Sequence, residues 1–518
     1  MRKFLLASVA TLGATGGLID VALAQAPAPP KGAPSQGQMA YPLANPTAYV
    51  NNNNNYQAAA LPGALPNPTP GTIVVHINGK VQTEIQAAWT SVDTRMATAP
   101  AAGSAGAILG NNGTGVVKLQ PIALNEFARL YFGADGMATN GLRYGAAIEV
   151  RQNFTGQLSS NANNAASGYT SLQTLYVRRA FTYAAGDQWG LFRLGVTDGI
   201  IGIFDNGVTT GQFTIIGELN GGDAQNMPGP NPPFWFLGQA GAEYGNVKAV
   251  YLSPQIAGFD FGLQYAPNMS NGFGLSTGNP LNGSITGSGT GTGTGCGVAN
   301  SGCPSLSSGP GIQDGARVMN QTALGVRYQG KFGDVGVLAY GVYEFSGVTN
   351  YTGLQTPAIL GTTTVPGSQF NGKYDGLSFG SGGLAITYAG FTVAGNVIGG
   401  RVNGQLAAAP KGGVGTLAYV LSAKYVTGPF TVGVVGEIGW YQGNPVLSGF
   451  SERRGRGIAA AVQYNVAPGF AVAAEYLWND IQQGGNNLIS GAVGTAAGAN
   501  LNNNFKGQNF IIGNVVNF

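Results

Sequence analysis

The chain has 518 residues, of which 87 are glycine and only 9% are charged, and its formal net charge is +3. Soluble proteins average about 25% charged residues and about 7% glycine, so this composition is unlike that of a cytosolic enzyme. The charge balance is close to neutral and no basic tract is present, so nothing indicates a nucleic-acid partner.

Residues 1–24 have the organisation of a secretory signal peptide. Arg2 and Lys3 precede an apolar run, and Ala22-Leu23-Ala24 fits a cleavage signal. We expect export and a mature chain that begins near Gln25; the alternative is a buried N-terminal helix of a soluble protein. Residues 25–70 are rich in Pro, Ala and Asn and lack an apolar period, which predicts a flexible segment. The folded domain is predicted over residues 71–518.

After the signal peptide, the sequence contains no run of about 18 apolar residues, which is the length that a transmembrane helix needs. Short segments rich in Val, Tyr, Phe and Ala alternate instead with stretches of Gly, Asn, Ser and Thr, a pattern typical of strands and turns. Within residues 142–150 one parity is apolar, whereas the other carries Arg143 and Glu149. The same alternation recurs over residues 430–440 and 470–479. The chain is therefore predicted to be all-β, with one polar and one apolar face.

Aromatic residues mark both ends of these segments. Several segments end in Tyr, pass through a very short turn and resume at Phe, as from Tyr388 to Phe391 and from Tyr464 to Phe470. The opposite ends carry further aromatics, such as Trp440, and lead into long Gly/Asn/Ser-rich stretches. Two aromatic girdles, short turns on one side and long loops on the other are features of transmembrane antiparallel β-barrels.

About sixteen strands are predicted, an even number as in bacterial barrels. A sheet of this size in lipid has to close, because an open edge would leave backbone groups without partners. The alternating last segment, which ends at the aromatic Phe518, is expected to pair with the first strand. The predicted strands start near Thr72, Pro121, Gly141, Ser171, Trp189, Glu243, Phe259, Asn320, Val335, Leu377, Phe391, Thr416, Phe430, Arg456, Phe470 and Gly507.

Four stretches of the chain resemble strands and turns of the trimeric Gram-negative porin family: residues 140–149, 178–195, 250–259 and 515–518. The resemblance covers roughly residues 72–518. It implies a sixteen-stranded barrel, homotrimers in the outer membrane, and a third external loop, about residues 199–241, folded into the lumen. Contacts with outer-membrane lipid and lipopolysaccharide are implied as well. The family's Pro-Glu-Phe-Gly-Gly loop motif is absent; Gly217-Glu218-Leu219-Asn220-Gly221-Gly222 is only distantly similar.

A charged constriction is expected, because opposed basic and acidic groups sort small solutes by size and charge. Arg179 has the opposite parity to Arg178, and a local bulge would exchange the two. The basic wall is predicted from the lumen-facing parity as Lys80, Arg129, Arg143, Arg151, Arg178 and Arg193, and the acidic groups of the third loop as Asp205, Glu218 and Asp223.

The two cysteines, Cys296 and Cys303, lie in a Gly/Ser/Thr-rich stretch of a chain expected to be exported. Exported thiols meet an oxidising compartment, so a local disulfide is predicted. A zinc site is disfavoured, because the only histidine in the chain is His76.

Passive diffusion of small hydrophilic solutes and ions is the predicted function, without a cofactor or covalent chemistry. An enzyme is disfavoured because the sequence has one histidine and no nucleophile motif. A structural or adhesive β-solenoid would need a fixed short repeat, whereas the strand spacings vary widely. A barrel selective for sugars or another ligand class stays open as an alternative.

Overall fold

The structure is a computed structural model. It describes residues 68–91, 96–98, 116–118, 121–152, 176–186, 188–205, 247–268, 318–348, 374–402, 409–410, 413–446, 449–485 and 503–518. In chain order the described elements are β1 (Thr72–Thr90), β2 (Met96–Thr98), β3 (Val116–Lys118), β4 (Ile122–Met137), β5 (Arg143–Gln152), β6 (Tyr176–Gly186), β7 (Gly190–Val196), α1 (Ile200–Asp205), β8 (Val247–Leu252), β9 (Phe259–Asn268), β10 (Val318–Phe332), β11 (Val335–Val348), β12 (Tyr374–Asp375), β13 (Ser378–Tyr388), β14 (Phe391–Arg401), β15 (Ala409–Pro410), β16 (Thr416–Thr427), β17 (Phe430–Val446), β18 (Gly449–Ala467), β19 (Phe470–Gln483) and β20 (Asn504–Asn517).

Sixteen of these strands form one closed antiparallel barrel, in which each strand pairs with its neighbours in the chain and β20 returns to pair with β1. The short pairs β2–β3 and β12–β15 stand apart from it. The closing register runs from Lys80 opposite Asn517 to Thr90 opposite Gly507. The predicted strand number and the predicted closure by the last strand are therefore confirmed.

Short turns join the strands at one end of the barrel. Tyr388 and Phe391 are cross-strand partners joined through Ala389 and Gly390, which both have positive φ, 47° and 82°. Two central residues with φ above zero define the type I′ turn, whose twist suits a hairpin. Glycine adopts this conformation at no steric cost, whereas an alanine is rare there.

Side-chain parity separates two surfaces, because successive residues of a strand point to opposite faces. On β9, Phe259, Phe261 and Leu263 are 43–55% exposed, whereas the intervening Asp260 and Gln264 are at most 2% exposed. The other barrel strands follow the same rule, with their exposed apolar side chains on one face. A soluble protein would have the opposite arrangement, so the apolar face is the one that faces lipid.

Rings at the short-turn end form pairs between strands. The centroids of Phe391 and Tyr425 lie 4.2 Å apart, and those of Phe430 and Tyr464 lie 4.8 Å apart. Each ring pair joins strands that are neighbours in the barrel, so the Tyr-turn-Phe pattern of the sequence becomes a belt of aromatic rings at this end. Such a belt is typical of the membrane–water boundary.

The inward face is not polar throughout. On β11, β13, β14 and β16 the apolar side chains of Leu338, Val342, Phe379, Ile398 and Val420 point inward and are at most 4% exposed. The sequence interpretation expected the lumen-facing parity to be polar, so this sector differs from it. The charged inward residues are concentrated on the other side of the barrel, mainly on β1, β4 to β10 and β17 to β19.

Within the described residues, no helix has the length and apolar character needed to cross a membrane.

Candidate pore-lining site

The strands β4, β5 and β6 bring together a cluster of paired charges on the inward face. The guanidinium of Arg179 lies 2.9 Å from Glu149 and 2.7 Å from Asp198, and Arg129 lies 3.6 Å from the other oxygen of Glu149. Arg179 and Glu149 are 0% exposed. Buried charges are tolerated when they are paired. The cluster therefore fixes two guanidinium groups on one wall of the barrel.

A strand irregularity decides which arginine joins this cluster. Glu149 lies opposite Arg179, but the next residue, Val150, lies opposite Val177. Arg178 is thus the extra residue of a β-bulge, which changes the side-chain parity along β6. This is the bulge that the sequence left open, and it places Arg179 inward. The side chain of Arg178 lies outside the described residues.

Three more of the predicted basic residues are placed by the structure. Lys80 is buried on the inward face of β1, where its ammonium donates to Gln82 at 3.2 Å. Arg193 is buried on β7, with its guanidinium 4.7 Å from the ring centre of Phe181. Arg143 is half-buried at the start of β5.

The other predicted site residues are placed only in part. Arg151 pairs through its backbone with Tyr176, and Asp205 is the last residue of α1, but the side chains of Arg151 and Asp205 are not described. Glu218, Asp223, Cys296 and Cys303 lie outside the described residues. Phe518 lies at the short-turn end, where its backbone exchanges two hydrogen bonds with Gly79, at 2.8 and 3.0 Å.

Carboxylates on the barrel wall also face inward. Glu84 on β1 accepts hydrogen bonds from Gln82 and Gln86, the latter at 2.8 Å. Glu437 on β17 and Glu475 on β19 are buried on the same sector. The inward face therefore has a sector on β4 to β7 in which arginines outnumber acids, and a sector on β17 to β1 that carries these three glutamates. Sequence reasoning placed the acidic side on the third loop and missed these wall carboxylates, although each lies on the parity it assigned to the lumen.

The helix α1 packs against the inside of the wall. Its Ile200 and Phe204 are 0% exposed and lie over Gly262 of β9 and Gly325 of β10, both on the inward parity. A Cβ atom at Gly325 would stand 2.8 Å from the side chain of Ile200 and 2.9 Å from the ring of Phe204. Two glycines on neighbouring strands thus open a recess in the wall that the helix fills.

Polar contacts fasten both ends of α1. The backbone N–H of Ile200 donates to the side-chain oxygen of Gln264 at 2.8 Å, and Lys248 donates to the carbonyl of Thr197 at 2.9 Å. At the other end, Arg327 donates to the carbonyl of Ile203 at 3.5 Å.

The same guanidinium binds Asp260 with two hydrogen bonds, at 2.6 and 3.1 Å, and lies 4.9 Å from the ring centre of Phe204. Two parallel hydrogen bonds between a guanidinium and a carboxylate form the most specific geometry available to an ion pair. No sequence motif marks this pair, because its members are 67 positions apart.

No group of three or more His, Cys, Asp or Glu side chains that could hold a metal ion occurs in the part of the chain that the structure describes. What the inward face offers is opposed fixed charges along a closed wall, which can order water and sort solutes.

Comparison with solved structures finds porins. The chain is similar to the anion-selective porin from Comamonas acidovorans, with 13% identity over 86% of this chain and 100% of the other, and a TM-score of 0.45. OmpT from Vibrio cholerae, in its trimer form, gives 13% identity, 86% and 99% coverage and a TM-score of 0.45. The Salmonella typhi OmpF complex with daunomycin gives 12% identity, 86% and 97% coverage and a TM-score of 0.45. No curated protein sequence matches the chain.

The similarities to solved structures are too distant to assign a family, but a family model does assign one. The model described as Gram-negative porin matches residues 57–484, which is most of the chain and includes every barrel strand except β20. The chain therefore belongs to the Gram-negative porin family and forms a diffusion channel in the outer membrane.

Proposed function

We propose that the protein mediates passive, non-enzymatic diffusion of small hydrophilic solutes and ions, and that fixed charges on the wall set its selectivity. The observation that carries this proposal is the buried cluster of Arg129, Glu149, Arg179 and Asp198 on the inward face. A channel that only exchanged water would have no need for charges whose burial is costly. Arg143 and Arg193 extend the same wall, and Arg151 and Arg178 are proposed to join it.

The opposing side of the constriction is proposed to come from two sources. The third long connection starts with α1, which already packs on the inner wall, and its residues Asp205, Glu218 and Asp223 are proposed to face the arginines. The wall carboxylates on β17 to β1 add negative charge on another sector of the barrel. Together these groups would produce a transverse field across the lumen.

Planar bilayer recording tests the channel itself. Purified protein is expected to give stepwise conductance increments, and a silent bilayer in the presence of folded protein would contradict the proposal. Arg179→Gln should lower the anion-to-cation permeability ratio, because it removes a fixed positive charge from the wall. Arg401→Gln is the matched control, since Arg401 is an exposed arginine at the long-loop end of β14. An equal change in both variants would show that the wall cluster does not set selectivity.

We further propose that the channel is a homotrimer and that its outward face near β1 is the contact surface. Thr83 lies opposite Glu126 of β4 on one side and opposite Asn514 of β20 on the other, so a polar row crosses three strands on the exterior. The amide of Asn514 donates to the hydroxyl of Thr83 at 2.8 Å. Polar and ionisable groups are costly against lipid, which favours a protein surface here.

Sedimentation in detergent tests the trimer. The wild-type protein should sediment as a trimer, and Thr83→Trp should lower the trimer fraction because it places a bulky ring in the row. A wild-type monomer would contradict the proposal.

Two proposals concern residues that the structure does not describe, and a third concerns the lipid around the barrel. The signal peptide is expected to be removed near Gln25, and N-terminal sequencing of the exported protein checks this. Cys296 and Cys303 are expected to form a disulfide, which a mass increase of about two daltons on reduction would reveal. Lipopolysaccharide and outer-membrane lipid are expected to surround the exterior, so both should copurify in mild detergent.

A further inference from the structure

Two polar side chains on neighbouring parts of the inner wall, Glu437 and Asn479, have no hydrogen-bond partner among the residues that the structure describes. Glu437 on β17 is 6% exposed and Asn479 on β19 is 1% exposed. Both oxygens of Glu437 and both polar atoms of Asn479 are buried, and none of these four atoms forms a hydrogen bond with any residue that the structure describes. The two residues face inward, since Val435 and Leu477, two positions away on the same strands, are buried as well, whereas Val434 and Tyr476 are exposed.

The strand register places these two residues at the same level of the wall, two strands apart. Glu437 lies opposite Gly457 of β18, and Gly457 lies opposite Asn479 of β19. Neighbouring strands are about 4.8 Å apart, so the two backbones are separated by about 10 Å. Because the residue between them is glycine, β18 places no side chain between the carboxylate and the amide. Next to this position, Gly439 of β17 lies opposite Gly455 of β18, so neither strand carries a side chain there.

A buried carboxylate in its ionised form is costly unless a cation accompanies it. Arg453 is the nearest inward-facing basic residue of β18, but its guanidinium Nε donates to Gln483 at 2.9 Å. The site instead offers three buried acceptor oxygens, two from Glu437 and one from Asn479. An ammonium group has three N–H donors and no acceptor, so its donors match this set in number and kind.

We propose that Glu437 and Asn479 form a binding site in the lumen for the primary ammonium group of a cationic solute. This inference rests on the proposed channel function and adds a substrate class to it. The site is small, because it consists of one carboxylate and one amide. Weak binding suits a channel, since conduction requires that a solute both enters and leaves its sites. Amine-bearing solutes would thus cross along the wall of β17 to β19, away from the arginines of β4 to β6.

Single-channel conductance in methylammonium chloride tests the site. In the wild type, conductance should saturate with concentration, whereas it should stay linear in tetramethylammonium chloride, whose cation has no N–H donor. Glu437→Gln should raise the half-saturating methylammonium concentration roughly tenfold, the lower end for a hydrogen bond to a charged group. Asn479→Ala should raise it by a smaller factor, because it removes one neutral acceptor.

Glu344→Gln is the matched control. Glu344 is also a buried inward glutamate, but it accepts a hydrogen bond from Gln321 at 2.6 Å. Its replacement should leave the half-saturating concentration unchanged. An unchanged value in both Glu437→Gln and Asn479→Ala overturns the proposal, and so does an equal rise in Glu344→Gln. A wild-type protein that forms no channel would instead overturn the proposed function. If Glu437→Gln fails to fold, the half-saturating methylammonium concentration of Asn479→Ala alone decides whether the proposal stands.

Discussion

The anchoring of α1 gives the sharpest test of the interior. Arg327 and Asp260 are at most 2% exposed, and their two hydrogen bonds fix the guanidinium that also donates to the Ile203 carbonyl at the end of the helix. Arg327→Met leaves the carboxylate of Asp260 buried without its partner. Removing one member of a buried pair costs about 3–5 kcal/mol, whereas a water-exposed pair contributes about 0–1 kcal/mol. The decrease in the free energy of unfolding therefore reports whether water reaches the pair.

The double variant Arg327→Met with Asp260→Leu is the matched control. It removes both charges and keeps apolar volume, and such replacements are often neutral or stabilising. We expect it to recover most of the stability that the single variant loses. Unfolding by guanidinium chloride in lipid vesicles, followed by tryptophan fluorescence, measures the free energy of unfolding of the single and the double variant. A single variant that loses less than about 1 kcal/mol, or a double variant that is no more stable than the single one, would refute a dry, charge-paired anchor.

Two further predictions address the recess and the lipid boundary. Gly325→Val should displace α1 and increase open-channel current noise, because a Cβ there already meets Ile200 and Phe204 within 3 Å; Gly341→Val, on the outward face where a Cβ meets nothing within 4 Å, should leave the noise unchanged. Equal noise in both variants would show that filling the recess under α1 does not affect the current. Leu263→Arg, halfway along the exterior of β9, should lower the free energy of unfolding by about 2–4 kcal/mol, whereas Phe259→Arg at the girdle should cost about 0–1 kcal/mol. Equal losses in the same titration would show that Phe259 is not at the membrane boundary.

The strands could be predicted because lipid and lumen impose an alternation that can be read from local sequence. Seven of the sixteen predicted starts, including Phe259, Phe391 and Phe430, coincide with observed ones. The largest error is at β18, which begins at Gly449 instead of near Arg456. Its first residues include Arg453 and Arg454, and a strand that continues past the aromatic residues of the long-loop end, such as Trp440, no longer shows an apolar parity. The pairs β2–β3 and β12–β15 were missed because segments of two or three residues are too short for alternation.

The site was harder to predict, because pairing between distant strands decides it. Lys80, Arg129 and Arg193 were assigned to the lumen from parity alone, and the structure buries all three. Parity alone could not decide between Arg178 and Arg179, since a bulge depends on how β6 meets β5 and leaves no local mark. Asp198 follows a strand end, where no periodicity applies, and its contact with Arg179 is tertiary.

The seam between β1 and β20 has a consequence for the order of folding. Other neighbouring barrel strands follow one another through a single connection, but the seam joins residues more than 400 positions apart. Closing a loop of that length costs about 5 kcal/mol in chain entropy, whereas each hydrogen bond returns about 1 kcal/mol. Several of the eleven register pairs must therefore form together before closure is favourable. The seam should be the last part of the sheet to form and the first to open, so amide hydrogen exchange should be faster along β1 and β20 than along β17 and β18.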